Sequence, residues 1–134
     1  MQKFLAQFNL RPALELALEG FMFGMAGQKV KGYNGGVWED KEVGKGVFIT
    51  LLPFRGEESF TMSDAYGTTD ADHVTVSAAL SCVAVNWFWH KYANVMTDAE
   101  NRKMQKYYDG LRAAVYRKKA DHGINTDKYF TLTD

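Results

Sequence analysis

A glycine pair set between aromatic and β-branched residues constrains the fold of this chain more than any other feature. Residues 34–36 read Asn-Gly-Gly, a combination that supplies the positive φ angles of a tight turn and leads into strand-forming residues. Two strands are predicted to follow, Val37–Val43 and Val47–Leu52, joined by the glycine-rich loop 44–46. Because the second strand is almost continuously apolar, we expect it to be covered on both faces.

A third strand is predicted at Ser59–Ser63, where Phe60 and Met62 alternate with hydroxyl-bearing residues. A turn at residues 55–57 would return the chain beside the second strand, and residues 64–69 would form a loop. The three strands together predict a small antiparallel meander.

Helices are predicted on both sides of this sheet. Residues 1–27 carry apolar side chains at helical spacing, with Pro12 in the first turn of a second helix. Near the end of the chain, Thr97 and Glu100 have the spacing of a capping box, and an apolar stripe follows to a helix end at His122. The chain is therefore predicted to be a single α+β domain spanning residues 1–134.

A long helix between these parts is predicted to be the centre of the domain. It would run from about Asp70 to Ala93, with Thr69 as the N-cap. Asp, Glu, Lys and Arg are all absent from residues 73–90, which indicates a helix buried on most sides. Trp87 and the single cysteine, Cys82, are accordingly expected in the core.

Several classes of protein do not fit the composition. One cysteine among 134 residues excludes an internal disulfide and suits a reducing compartment. We find no secretory signal, and the apolar run Val83–Trp89 is too short to span a bilayer. Neither a phosphate-binding loop nor a dinucleotide motif is present, so no cofactor is expected. The sequence predicts a soluble cytoplasmic protein.

The balance of charge bears on nucleic-acid partners. The chain has 16 Lys and Arg residues and 16 Asp and Glu residues, for a net charge of zero. A mimic of duplex DNA would need about one negative charge per ~1.7 Å of its length. A strong non-specific DNA binder would show the opposite excess. Both classes are disfavoured, and we expect no strong direct binding to nucleic acid.

Acidic residues are concentrated in one part of the chain. Between Arg55 and Lys91 there is no Lys or Arg. The acidic residues in this interval are Glu57, Glu58, Asp64, Asp70 and Asp72. They have two interpretations: a solvated face attracted to the basic last helix, or an acidic rim that meets a basic surface on another protein.

Asp70, Asp72 and His73 also raise the possibility of an enzyme. On a helix, Asp70 and His73 would share a face with the spacing of two metal ligands. No third ligand is evident, because His90 and His122 are distant in sequence. The competing interpretation is that the two aspartates complement the positive end of the helix dipole.

The motif Tyr33-x-Gly35-Gly36-x-Trp38, followed by Phe48 and Pro53, resembles the core signature of the ArdB/KlcA family of antirestriction proteins. The resemblance covers roughly residues 33–92. Family members are carried by phages, plasmids and other mobile elements and relieve type I restriction of incoming DNA. The resemblance implies a compact α+β fold, a non-enzymatic protein and a partner in a host defence complex, most readily a type I restriction–modification system.

The resemblance and the acidic segment together predict a binding surface. Its members are Tyr33, Gly35, Gly36, Trp38, Glu57, Glu58, Asp64, Asp70 and Asp72. Three alternatives remain open: an inhibitor of another nucleic-acid-targeting defence such as a CRISPR nuclease, a small metal-dependent hydrolase, and an accessory domain that dimerises through exposed aromatic residues.

Overall fold

The computed structural model describes residues 1–54, 56, 57, 59–117 and 119–134. Within these residues two helices come first, four strands follow, and the remaining elements are helices; this segregation and the antiparallel pairing of the strands confirm the predicted α+β class. In chain order the elements are α1 (Gln2–Ala6), α2 (Pro12–Lys29), β1 (Glu39–Gly44), β2 (Val47–Leu51), β3 (Phe60–Asp64), β4 (Gly67–Ala71), α3 (His73–Tyr92), a 3₁₀-helix (Ala93–Val95), α4 (Asp98–Val115), α5 (Lys119–His122) and α6 (Thr126–Thr133).

The strands form two separate antiparallel hairpins. In the first, β1 pairs with β2, with Glu39 opposite Leu51. In the second, β3 pairs with β4, with Phe60 opposite Ala71. The prediction of a three-stranded meander is therefore wrong: its first two strands pair as expected, but the third belongs to a different sheet.

The second edge of β2 explains this outcome, because helix side chains occupy the positions that a third strand would need. Every second backbone N–H along this edge donates to a side-chain oxygen rather than to a neighbouring strand. The acceptors are Gln7 Oε1 for Phe48 at 3.0 Å, Ser81 Oγ for Thr50 at 3.3 Å and Ser77 Oγ for Leu52 at 3.0 Å. The strand is thus closed by α1 and α3, and its core residues Ile49 and Thr50 are fully buried.

The second hairpin takes its neighbour from the end of α2. The backbone N–H of Lys31 donates to the carbonyl of Thr61 at 2.9 Å, and Val30 forms an isolated bridge with Met62. Strand β4 (Gly67–Ala71) occupies residues 67–69, which were predicted to be a loop, and residues 70 and 71, which were predicted to begin the central helix. A two-residue turn, Ala65 and Tyr66, is enough to reverse the chain, so the loop prediction is wrong.

The central helix α3 begins three residues later than predicted. Asp72 is its N-cap, and the Oδ1 atom accepts from the N–H of Thr75 at 2.8 Å. The predicted cap, Thr69, lies in β4 instead. Helix α3 packs against α2, α6 and β2, and its residues 75–82 are all buried. Cys82 is one of them, so its predicted burial is confirmed. Trp87 is 59% exposed, so its assignment to the core is wrong.

An ion pair between the buried Glu100 carboxylate and the partly exposed Arg11 side chain joins the last long helix to the start of the chain. The predicted capping box between Thr97 and Glu100 is present at the N-terminus of α4. The same Glu100 carboxylate accepts from the Arg11 side chain at 2.9 Å and from the Arg11 backbone N–H at 3.0 Å. Helix α4 ends at Val115, short of the predicted end at His122. In the part of the chain that is described, no helix is both long and apolar enough to cross a membrane.

Candidate functional site

The glycine pair lies in the connection between α2 and β1. Gly35 has a φ angle of +91° and Gly36 one of +126°, a region that strongly favours glycine. At Gly35 a Cβ atom would meet nothing within 4 Å, so the backbone conformation, and not lack of space, requires the glycine. Val37 follows with 80% of its surface exposed, an unusual position for a valine.

The two aromatic residues of the motif contact each other beneath this turn. Their ring centroids are 5.7 Å apart, and Trp38 Nε1 donates to the Tyr33 hydroxyl at 3.3 Å. Trp38 is only 9% exposed and also contacts the ring of Phe23. Trp38 therefore supports the turn from within, and Tyr33, which is half-buried, is the more accessible of the pair.

A cleft of about 280 Å³ opens on one side of the turn, and we refer to it as the first cleft. Residues 30–35 form one wall, and Pro53, Glu57 and the start of β3 contribute to the other. Three residues of the predicted surface, Tyr33, Gly35 and Glu57, line this cleft although they are up to 24 positions apart in the sequence. The fold brings the turn and the first part of the acidic segment together.

The second cleft lies on the other side of the turn and has a volume of about 340 Å³. Gly36 and Val37 line it together with Pro53, Phe54 and His73. Phe54 is largely exposed, so two large apolar side chains, Val37 and Phe54, reach solvent beside it. Leu52 and Pro53 line both clefts.

His73 is held in one orientation at the wall of the second cleft. Its ring stacks between Phe54, with centroids 4.9 Å apart, and Phe60 at 5.4 Å. The Nε2 atom lies 2.6 Å from the carbonyl oxygen of Leu52, which requires a proton on Nε2 because a carbonyl can only accept. The imidazole thus fixes the path of the chain from Leu52 to Phe60.

The remaining acidic residues of the predicted surface make local hydrogen bonds. Asp64 accepts from the Thr69 hydroxyl at 2.8 Å and from the Tyr66 N–H at 2.7 Å. These bonds, the one from Thr69 first, lower the pKa of the Asp64 carboxyl. Asp70 accepts from the Thr61 hydroxyl at 2.6 Å, and Asp72 is occupied as the N-cap of α3. Glu58 lies outside the described residues.

These positions bear on the proposed metal or acid–base cluster. Asp70 belongs to β4 and His73 to α3, so the prediction that they share a helix face is wrong. Each carboxylate and the imidazole has a different hydrogen-bonding partner. Within the described residues, no three side chains of His, Cys, Asp or Glu are grouped in a way that could hold a metal ion.

Val37 and Phe54 give the surface its apolar character, yet neither belongs to the predicted set. The only sequence signal for them is that each is next to a residue of the motif. Val37 precedes Trp38, and Phe54 follows Pro53. Apolar residues next to strands are usually buried, so exposure at these two positions depends on the tertiary arrangement of the turn.

Comparison with known protein families finds no family model that matches this chain, and none of the curated proteins matches it either.

Proposed function

We propose that this protein relieves type I restriction by binding a protein of the host defence complex through the surface formed by the two clefts. One observation carries the proposal: residues of the motif that are far apart in sequence meet at this surface. Tyr33, Gly35 and Pro53 line the first cleft, and Gly36 and Pro53 line the second. The fold thus places residues from two separate parts of the motif at one pair of clefts.

The character of this surface supports contact with a protein. Val37 and Phe54 offer exposed apolar area of the kind that anchors protein interfaces, and Glu39 and Glu57 also line the clefts. Exposed apolar side chains together with charged ones are typical of recognition between proteins. A net charge of zero supports the same view, since a DNA mimic requires a continuous negative surface.

The other residues of the predicted set divide into two roles in this proposal. Trp38 supports the turn from below, and Asp72 starts α3, so substitutions there would act through the fold. Tyr33, Gly35, Gly36 and Glu57 lie at the clefts and are the members expected to face the partner.

The test is the plating efficiency of unmodified phage on cells with a type I restriction system, with and without the protein. We expect the unaltered protein to restore plating, and Val37→Arg to abolish most of the restoration because it places a charge in the second cleft. Val95→Arg is the matched control, since Val95 is also an exposed valine but lies in the 3₁₀-helix, away from the lining of both clefts.

In restriction-deficient cells, the protein should leave the plating efficiency unchanged. Failure of the unaltered, well-expressed protein to restore plating would contradict the proposed function. Equal loss of protection in the Val37 and Val95 variants, or no loss in either, would instead reject the assignment of the surface.

A further inference from the structure

A lysine-rimmed cleft lies at a second place on the molecule, between α1, the β1–β2 turn and the middle of α4. Its volume is about 110 Å³. Lys45 reaches it from the turn, and Lys103 and Lys106 reach it from α4. None of these residues lines the two clefts described above, so this site is separate from the proposed antirestriction surface.

Three lysines, Lys45, Lys103 and Lys106, line the same cleft. Lys103 and Lys106 are three residues apart and share one face of α4, where like charges repel each other. The structure gives no ion-pair partner to any of the three among the described residues, and no carboxylate lines the cleft. A cluster of this kind attracts a negatively charged partner.

The floor of the cleft contains apolar side chains. Phe8 and Tyr107 are buried there with ring centroids 4.9 Å apart, and half-buried Val47 completes it. At about 110 Å³ the space is smaller than the ~150 Å³ cavity that holds benzene, so it suits an aliphatic side chain better than a nucleobase.

These features favour a protein partner over a nucleic acid. Proteins that bind single strands present exposed aromatic rings for stacking, whereas Phe8 and Tyr107 lie beneath the surface. A net charge of zero also gives little long-range attraction for a polyanion. Carboxylates flanking an aliphatic residue match both the cationic rim and the apolar floor.

We propose that the lysine-rimmed cleft binds an acidic segment of a partner protein, with one aliphatic side chain against the half-buried Val47, above Phe8 and Tyr107. Carboxylates on either side of that residue pair with Lys45, Lys103 and Lys106. The exposed position of the lysines makes this a weak, salt-sensitive contact that adds to the affinity of a larger interface.

The direct test titrates the isotope-labelled protein with an acetylated and amidated peptide, Glu-Asp-Leu-Asp-Glu, and follows the amide signals by NMR. We expect the signals of Gly46, Val47 and Lys106 to shift at low salt. The shifts should largely disappear when the salt rises from about 0.1 M to about 1 M, because the screening length falls from about 10 Å to about 3 Å.

Paired variants then separate a specific site from general charge attraction. We expect Lys106→Glu to weaken peptide binding by about fivefold, the range for reversing one exposed ion pair. Arg102→Glu makes the same charge change on the same helix, but Arg102 does not line the cleft, and this variant should bind within about twofold of the unaltered protein. Replacing the leucine of the peptide by alanine should also weaken binding.

Three results would overturn the proposal. One is an absence of shifts at saturating peptide concentrations with the unaltered protein. Another is equal weakening by the Lys106 and Arg102 variants while both keep native circular dichroism. The last is a short DNA duplex shifting the same signals at lower concentration than the peptide, which would assign the cleft to nucleic acid.

Discussion

The two hairpins of this protein are held in place in opposite ways. We call β1–β2 the inner hairpin and β3–β4 the outer hairpin. The second edge of the inner hairpin is closed by buried hydroxyls of α3, Ser77 and Ser81, and by the Gln7 amide. Among the described residues, the outer hairpin receives a backbone hydrogen bond on one edge, from Lys31. On its other edge the Asp70 carbonyl accepts from the exposed Lys128 ammonium at 2.8 Å.

The two hairpins differ in whether water can reach their hydrogen bonds, and therefore in how much each bond contributes to stability. The bonds from Thr50 and Leu52 to the α3 hydroxyls are buried, so losing one leaves a backbone N–H without water or partner. The bonds that shape the outer hairpin are exposed or half-exposed, so water can replace them. We therefore expect the inner hairpin to open only with the whole domain and the outer hairpin to open by itself.

Removing the two serine hydroxyls should have the largest effect. In the double variant Ser77→Ala and Ser81→Ala, the backbone N–H groups of Leu52 and Thr50 lose their acceptors inside the core. We expect the free energy of unfolding to fall by about 2–6 kcal/mol, at about 1–3 kcal/mol for each unpaired group. Urea denaturation followed by circular dichroism measures this loss.

Ser63→Ala provides the comparison in the outer hairpin. Ser63 is half-buried in β3, and its hydroxyl has no hydrogen-bonding partner among the described residues. We expect this variant to unfold within about 0.5 kcal/mol of the unaltered protein. Similar losses in both hairpins would contradict the view that the two edges differ.

The same contrast marks how far the sequence could predict the fold. Local signals gave the inner hairpin, the long central helix and the capping box at Thr97, since each depends on residues close together in the chain. The partner of β3 could not be predicted, because Ser77 and Ser81 take the place of a third strand only after α3 has packed on β2. Serine in an apolar helix gives no sign of which strand its hydroxyl will meet.

The candidate site was predictable to a similar degree. The glycine pair followed from its need for positive φ angles, and both residues line the clefts. The inward position of Trp38 and the exposure of Phe54 depend on contacts with distant residues, Phe23 and His73, which no local pattern reveals. At this site the sequence predicted the turn but did not predict which of its aromatic side chains are buried.

A moderate effect is expected at Glu100, whose ion pair fixes the helices behind the inner hairpin. The Arg11 side chain and then the Thr97 N–H lower the pKa of Glu100 from 4.5 to about 2. Because the folded state favours the charged form, its stabilising contribution is complete above about pH 4.5 and is lost as the pH falls towards 2. Glu100→Gln should lower stability near neutral pH by about 1–3 kcal/mol.

Acid titration distinguishes this ion pair from general charge effects. The stability of the Glu100 variant should change less between about pH 5 and about pH 2 than that of the unaltered protein. Asp98→Asn serves as the matched control, since Asp98 lies in the same first turn of α4 but is exposed. Parallel pH profiles for the Glu100 variant and the unaltered protein would contradict the assignment.

A small and local effect on stability is expected at Asp64 in the turn of the outer hairpin. Asp64→Ala removes the acceptors of the Thr69 hydroxyl and the Tyr66 N–H, so the amides of β4 should exchange faster with solvent. The amides of Thr50 and Leu52 in the inner hairpin should keep their protection. Hydrogen exchange followed by NMR measures both hairpins in one experiment.

The ionisation of Asp64 provides an independent measure of the same turn. Its pKa lies below the ordinary 3.8, so the hydrogen-bonded turn is favoured above that pH and weakens as the carboxylate gains a proton. The amide proton signal of Tyr66 should therefore titrate with a midpoint below 3.8, and the signal of Thr50 should not follow it. A midpoint at or above 3.8 would mean that the turn is open in solution. Faster exchange at Thr50 and Leu52 in the Asp64 variant would mean that the two hairpins open together, which their separate edges do not allow.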